Sequence, residues 1–160
     1  MLNVTHTMEG KQPDLAVILD GVVGDGPEGT PDARGIRLVG GPSLRRYDHQ
    51  PMNFLGYVVP PEAAAWVKET AERAGAPLQE HVMVGSFTDA APLSRSLPGG
   101  LVVIPLDLPR RFAHTPAEMF LESDLEALSA LVGALIRRVA EGDFPTPGRD
   151  YKGRGQSAFG

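Results

Sequence analysis

The sequence contains no cysteine. That excludes disulfides, thiolate metal sites and a cysteine nucleophile. It also lacks an excess of basic charge: 15 Lys and Arg stand against 20 Asp and Glu, for a formal net charge of −5. Nucleic-acid binding ordinarily shows as a basic face, so no nucleic-acid partner is expected. No apolar run approaches the roughly 18 residues that a membrane span needs. The first residues, MLNVTHTMEGKQPD, lack the charged-then-apolar order of a signal peptide. The expectation is a cytoplasmic protein with no membrane partner. Two catalytic signatures are missing as well. The glycine-rich stretch GVVGDGPEG (21–29) is not followed by Gly-Lys-Ser/Thr and is read as a plain loop. No Gly-x-Ser-x-Gly elbow occurs, so a serine-triad hydrolase is unsupported.

What remains is the composition of one globular domain. The 160 residues are 42 % hydrophobic and 22 % charged, enough for a real core. The 19 glycines and 15 prolines cluster in loops. DLAVILD (14–20) is an apolar run of strand length closed by a carboxylate, and it reads as a buried strand. IRLVGGPSLRRYD (36–48) reads as two extended pieces around Gly40, Gly41 and Pro42. PPEAAAWVKETAERAG (60–75) is the clearest helix, with Pro61 in the first turn, Glu62 beside it and Gly75 as the stop. LQEHVMVG (78–85) reads as a strand, with His81 structural within it. TDAAPLSRSL (88–97) is a short helix or turn. LVVIPLDLP (101–109) is a strand whose prolines suggest irregularity or an edge. ESDLEALSALVGALIRRVAEG (122–142) is a long amphipathic helix with Ser123 and Glu126 spaced as a capping box. Its apolar stripe runs through Leu125, Leu128, Leu131, Val132, Leu135, Ile136 and Val139. Residues 1–142 are expected to form one α/β domain, and 143–160 a mobile tail.

In such folds, sites gather at the carboxyl ends of strands. Asp20 ends the first strand, Thr88 and Asp89 follow the strand at 78–85, and His114 follows the strand at 101–109. These stations are expected to converge on one crevice. Each has a simpler reading: Asp20 starts a turn, Thr88 caps a helix, Arg110 and Arg111 are a solvated pair, and His114 sits in a turn. An Asp/His pair is also a usual ligand combination for zinc or cobalt, but two ligands do not close a site.

Four stretches carry a family resemblance: KQPDLAVILD (11–20), GGPSLRRYD (40–48), VGSFTDA (84–90) and LPRRFAHTPAEMFLESDLEAL (108–128). In this order they resemble the C-terminal half of the tetrahedral, or glutamyl-type, metallo-aminopeptidases, also labelled endoglucanases. The resemblance covers about residues 11 to 142. It implies an α/β/α three-layer sandwich fragment with a mixed sheet. It also implies hydrolysis of N-terminal peptide bonds by water activated on zinc or cobalt ions. By position, Asp20 matches the carboxylate ligand of one metal and His114 the histidine of the other. Thr88, Asp89 and Arg111 match the substrate side. The remaining ligands and the general base belong to the family's N-terminal half, which this register does not include. A remnant holding Glu9 in HTMEG (6–10) would lie only eleven residues before Asp20. The resemblance therefore implies an incomplete or split catalytic unit, inactive alone. The alternatives are a noncatalytic binding or assembly subunit and a compact one-metal site of Asp20, Asp89 and His114. Uncovered sheet edges imply a homo-oligomer or a partner chain.

Overall fold

The longest strand decides the architecture. LVVIPLDLPRR is a nearly unbroken apolar run, the pattern of a strand covered on both faces. In the computed structural model, which describes residues 13–24, 35–53, 55–86, 88–97 and 99–145, this run forms β5 (Val102–Arg111). It lies inside a six-stranded mixed sheet. On one side β5 pairs in parallel with β1 (Leu15–Val23) over nine residue pairs, from Leu15↔Val102 to Val23↔Arg110. On the other it pairs antiparallel with β2 (Ser43–Gln50) at Leu106 and Asp107. A two-residue strand, β6 (Met119–Phe120), pairs with Arg110 and Arg111. Pro105 and Pro109 therefore fall where the second side of β5 has no ladder partner. This is how an interior strand keeps two residues that lack an N–H donor. The far half of β2 holds β3 (Leu55–Val58), antiparallel, and its other edge holds β4 (Gln79–Val84), parallel.

The first helix follows its sequence signals closely. α1 (Pro61–Ala74) starts with proline in its first turn and ends at Gly75, whose φ of 62° is left-handed. α3 (Glu122–Ala140) is the other long helix. Both bury their stripes on one face of the sheet, against Leu44, Val102, Ile104 and Leu106. Among the described residues the one helix on the opposite face is α2 (Ala90–Ser94), packed through Ala90, Leu101 and Val103, with Ala16 and Ile18 alongside. The layers are thus α/β/α, with the third layer thin.

Three expectations are corrected. β1 is an edge strand among the described residues and is not fully buried: Leu19 is 55 % exposed, and Val17 and Val23 are exposed too. The stripe of α3 is narrower than its sequence suggests. Leu128, Leu131 and Leu135 are buried, whereas Leu125, Ile136 and Val139 are exposed. The capping box does not form, because the helix begins at Glu122 with Leu121 as a cap that makes no side-chain bond. The first turn is used differently. The buried Asp124 carboxylate accepts the amides of Val39 at 3.0 Å and Gly41 at 2.9 Å, tying α3 to the segment before β2. At the other end of α3, Trp66 donates to the Asp143 carbonyl, Arg138 pairs with the Asp143 carboxylate, and Phe144 packs on the core. The rest of the expected tail, 146–160, and the HTMEG stretch lie outside the described residues.

Candidate functional site

Because β1 and β5 are parallel, their carboxyl ends share one end of the sheet. Asp20 does not end β1 as expected, because the strand runs on to Val23; it lies in the carboxyl half of β1, paired with Asp107, on the way to the end that carries the His114 turn. Thr88 and Asp89 lie away from that end. β4 runs parallel to β2 and therefore antiparallel to β5, so its carboxyl end lies toward the amino ends of β1 and β5. The expected convergence of three stations is thus reduced to two. Thr88 is buried and pins the chain: its N–H and its hydroxyl both donate to Asp48 Oδ2 at 2.9 Å. Its oxygen also accepts the Ala90 amide at 3.1 Å, and exposed Asp89 opens α2.

The turn after β5 is built around Glu118. Arg110 Nη1 donates to Glu118 Oε2 at 2.7 Å, and the His114 backbone N–H donates to Glu118 Oε1. These donors, the His114 amide first, hold the Glu118 carboxyl below the usual carboxylate range. Phe112 and His114 both take left-handed backbone angles, φ 56° and 61°. Histidine is among the residues that enter this region more readily. The His114 side chain is exposed, so what the turn uses is its backbone. Arg111 lies over the Phe112 ring, 5.1 Å from its centroid. Arg110 also passes across β1. A β-carbon on Gly21 would meet its guanidinium at 2.4–2.6 Å, so glycine is what admits it. Arg110 thereby links the Asp20–Gly21 corner to the His114 turn.

The sequence reading missed a polar network on the sheet face opposite α1 and α3. Alternation puts Asp20, Ser43, Arg45, His81 and Asp107 on that face, and the contacts bear this out. Arg45 Nε donates to Asp107 Oδ2 at 2.8 Å, and the other end of its guanidinium reaches within 3.9 Å of Asp20 Oδ2. Ser43 Oγ and His81 Nδ1 are 2.7 Å apart, and His81 Nε2 lies 3.3 Å from Asp107 Oδ2. Asp20 Oδ1 accepts the Gly21 amide at 2.7 Å. Asp20 is partly open, while the Arg45 side chain is only 3 % exposed. The available signal was an acid, Asp107, inside the apolar run of β5.

Burial pushes the Asp107 carboxyl up to about 6; Arg45 opposes this, while Asp20 and Asp48 add to it. The folded chain therefore holds a proton on Asp107 at pH values where the unfolded chain has released it. The associated stability is complete below about pH 4 and is lost as pH rises through about 6. The loss amounts to about 3 kcal/mol. Urea unfolding between pH 4 and 7.5 should show this decline in the wild type, and Asp107→Asn should flatten it.

The described residues do not by themselves fit the metal centre that the resemblance implies. Among them no group of three or more His, Asp or Glu side chains could hold a metal ion. A dication on Asp20 would also sit beside the fixed Arg45 charge, at a Coulomb cost on the order of several kcal/mol.

The model of the M42 glutamyl aminopeptidases matches residues 2–131. The chain belongs to the M42 glutamyl aminopeptidase family. It is 31 % identical over 132 residues to FrvX of Escherichia coli, whose name assigns it to the aminopeptidases, with 81 % of this chain and 35 % of that protein covered. Among solved structures it resembles aminopeptidase APDkam598 from Desulfurococcus kamchatkensis, at TM-score 0.68 and 27 % identity, covering 78 % of this chain and 34 % of that one. It also resembles the TET1 peptidase of Pyrococcus horikoshii, described as assembling into a tetrahedron or a large octahedral shell. There the TM-score is 0.60 at 25 % identity, covering 77 % of this chain and 33 % of the other. The M42 chain thus spans about a third of the length of the relatives it matches.

Proposed function

We propose that this chain is the C-terminal third of an M42 aminopeptidase unit, which when complete hydrolyses N-terminal peptide bonds with zinc or cobalt. Alone it is inactive. The observation that supports this reading is the parallel β1/β5 pair, which directs the carboxyl half of β1, with Asp20, and the His114 turn toward the same end of the sheet in a chain of this family. In the complete unit Asp20 and His114 are the ligands this chain contributes, and the exposed His114 ring is free to meet groups brought from elsewhere. Arg111, in the same turn, faces the substrate side. The other ligands and the general base come from polypeptide equivalent to the relatives' remaining two thirds. Thr88 and Asp89 serve the fold of the β4–α2 corner. The open β1 edge, with Leu19 and Val17 exposed, suits a partner chain or a second copy, as self-assembly of the Pyrococcus peptidase suggests. No helix among the described residues is long and apolar enough to cross a membrane, and a cysteine-free chain suits a cytoplasmic setting.

One observation favours a second reading, a noncatalytic binding or assembly domain on the same frame: the guanidinium of Arg45 already faces Asp20. The two readings separate in a chimera of E. coli FrvX whose matching third is replaced by this chain. Hydrolysis of aminoacyl p-nitroanilides by the folded chimera, abolished by His114→Ala, is expected from the catalytic reading. A folded but inactive chimera would contradict it. The chain alone should show no turnover with zinc or cobalt.

A further inference from the structure

We infer that Arg45 is a resident cation that stands in for a metal ion at Asp20 in this chain. The inference rests on reading Asp20 as the family's carboxylate ligand station. Asp20 and Asp107 are lateral neighbours in the β1/β5 register, so two carboxylates lie side by side at this level of the sheet. Such a pair calls for positive charge between or beside it. Arg45, arriving from β2, supplies it to both, with Nε on Asp107 Oδ2 at 2.8 Å and a terminal nitrogen 3.9 Å from Asp20 Oδ2. A guanidinium cannot be deprotonated in a protein, so the charge is permanent. Its burial, the Asp107 bond and the packing of β2 between β4 and β5 hold it beside Asp20 in this chain. The second Asp20 oxygen accepts the Gly21 amide. Each carboxylate oxygen keeps a second lone pair, so it is the Arg45 charge rather than the Gly21 hydrogen bond that opposes a dication at Asp20. In the chain alone the Asp20 station is charge-compensated by the polypeptide itself and holds no divalent ion while Arg45 is in place; in the complete unit the ligands brought by the remaining polypeptide must outweigh Arg45 for a metal to sit there.

Cobalt(II) is the probe, and the Gly21 amide resonance is the local readout, since that N–H bonds the Asp20 carboxylate. The full chain is titrated and paramagnetic broadening of Gly21 is followed. Because Arg45→Gln alone strands a buried Asp107 carboxylate, the test variant is Arg45→Gln with Asp107→Asn. Wild type is expected to show no saturable broadening at Gly21. The double variant should bind cobalt at least about tenfold more tightly, and adding Asp20→Asn should abolish the gain. Saturable wild-type binding that Asp20→Asn removes would overturn the inference while leaving the proposed function standing. A double variant that binds no more tightly than wild type would overturn it too. Failure of the proposed function is read separately, from turnover by the FrvX chimera.

Discussion

Replacing Arg45 with methionine is expected to cost about 3–5 kcal/mol at pH 7, the usual penalty for leaving a buried charge without its partner. Arg45 and Asp107 form an ion pair whose side chains are 3 % and 0 % exposed. Among the described residues the Asp107 carboxylate has no other cation at bonding distance except His81, whose charge depends on protonation. Removing Arg45 alone leaves a buried carboxylate; removing both charges does not. Arg45→Met with Asp107→Asn should therefore recover most of the loss, since well-packed neutral residues often replace a buried pair at little cost. The penalty should also shrink at pH 5, where Asp107, with its carboxyl pushed up to about 6, takes up a proton. Urea midpoints for wild type, single and double variants at both pH values measure all three effects. A single variant as stable as wild type would mean that the pair is not a buried element of the fold.

The second large effect is expected in α3. Leu131 is fully buried and packs with Leu128 and Leu135 on the sheet face formed by Val102, Ile104 and Leu106. Leu131→Ala should lower stability by about 2–5 kcal/mol through lost burial and the cavity left behind. Ile136→Ala, five residues further on and 63 % exposed, should change it by no more than about 0.5 kcal/mol. Equal losses at the two positions would mean that the flank bearing Ile136 is buried, by a partner or a second copy.

That contrast shows what could be read in the sequence. Periodicity found α1, α3 and β4 because one face of each meets the core, an unbroken apolar run found β5 because both of its faces are covered, and proline and glycine marked the ends of α1. Periodicity gives a direction rather than a width, so it could not tell that Ile136 and Val139 lie beyond the reach of the sheet. It called β1 buried because LAVIL is apolar, whereas burial depends on what lies on the far side of an edge strand. The capping signal at Ser123 was local, but Asp124 spends its carboxylate on Val39 and Gly41, more than eighty residues away in sequence.

The site was legible to a similar depth. Asp20 was read as the end of its strand, but β1 runs on to Val23, since the ladder with β5 continues past the carboxylate; parallel pairing still directs its carboxyl half and the His114 turn toward the same end. Strand direction was not legible, so Thr88 was counted with them although β4 points the other way. The network of Ser43, Arg45, His81 and Asp107 was missed because its members come from three strands with no spacing in common. Only Asp107, an acid within an apolar run, betrayed it.

As a family third, this chain is proposed to need ligands from outside itself to hold a metal. The most direct test is metal content per chain for purified wild type and His114→Ala after equilibration with zinc or cobalt and dialysis. Both proteins are expected to hold far less than one metal per chain, with no difference between them. Close to one metal per wild-type chain, lost in His114→Ala, would contradict that expectation and would mean that Asp20 and His114 close a site with no help from outside the chain.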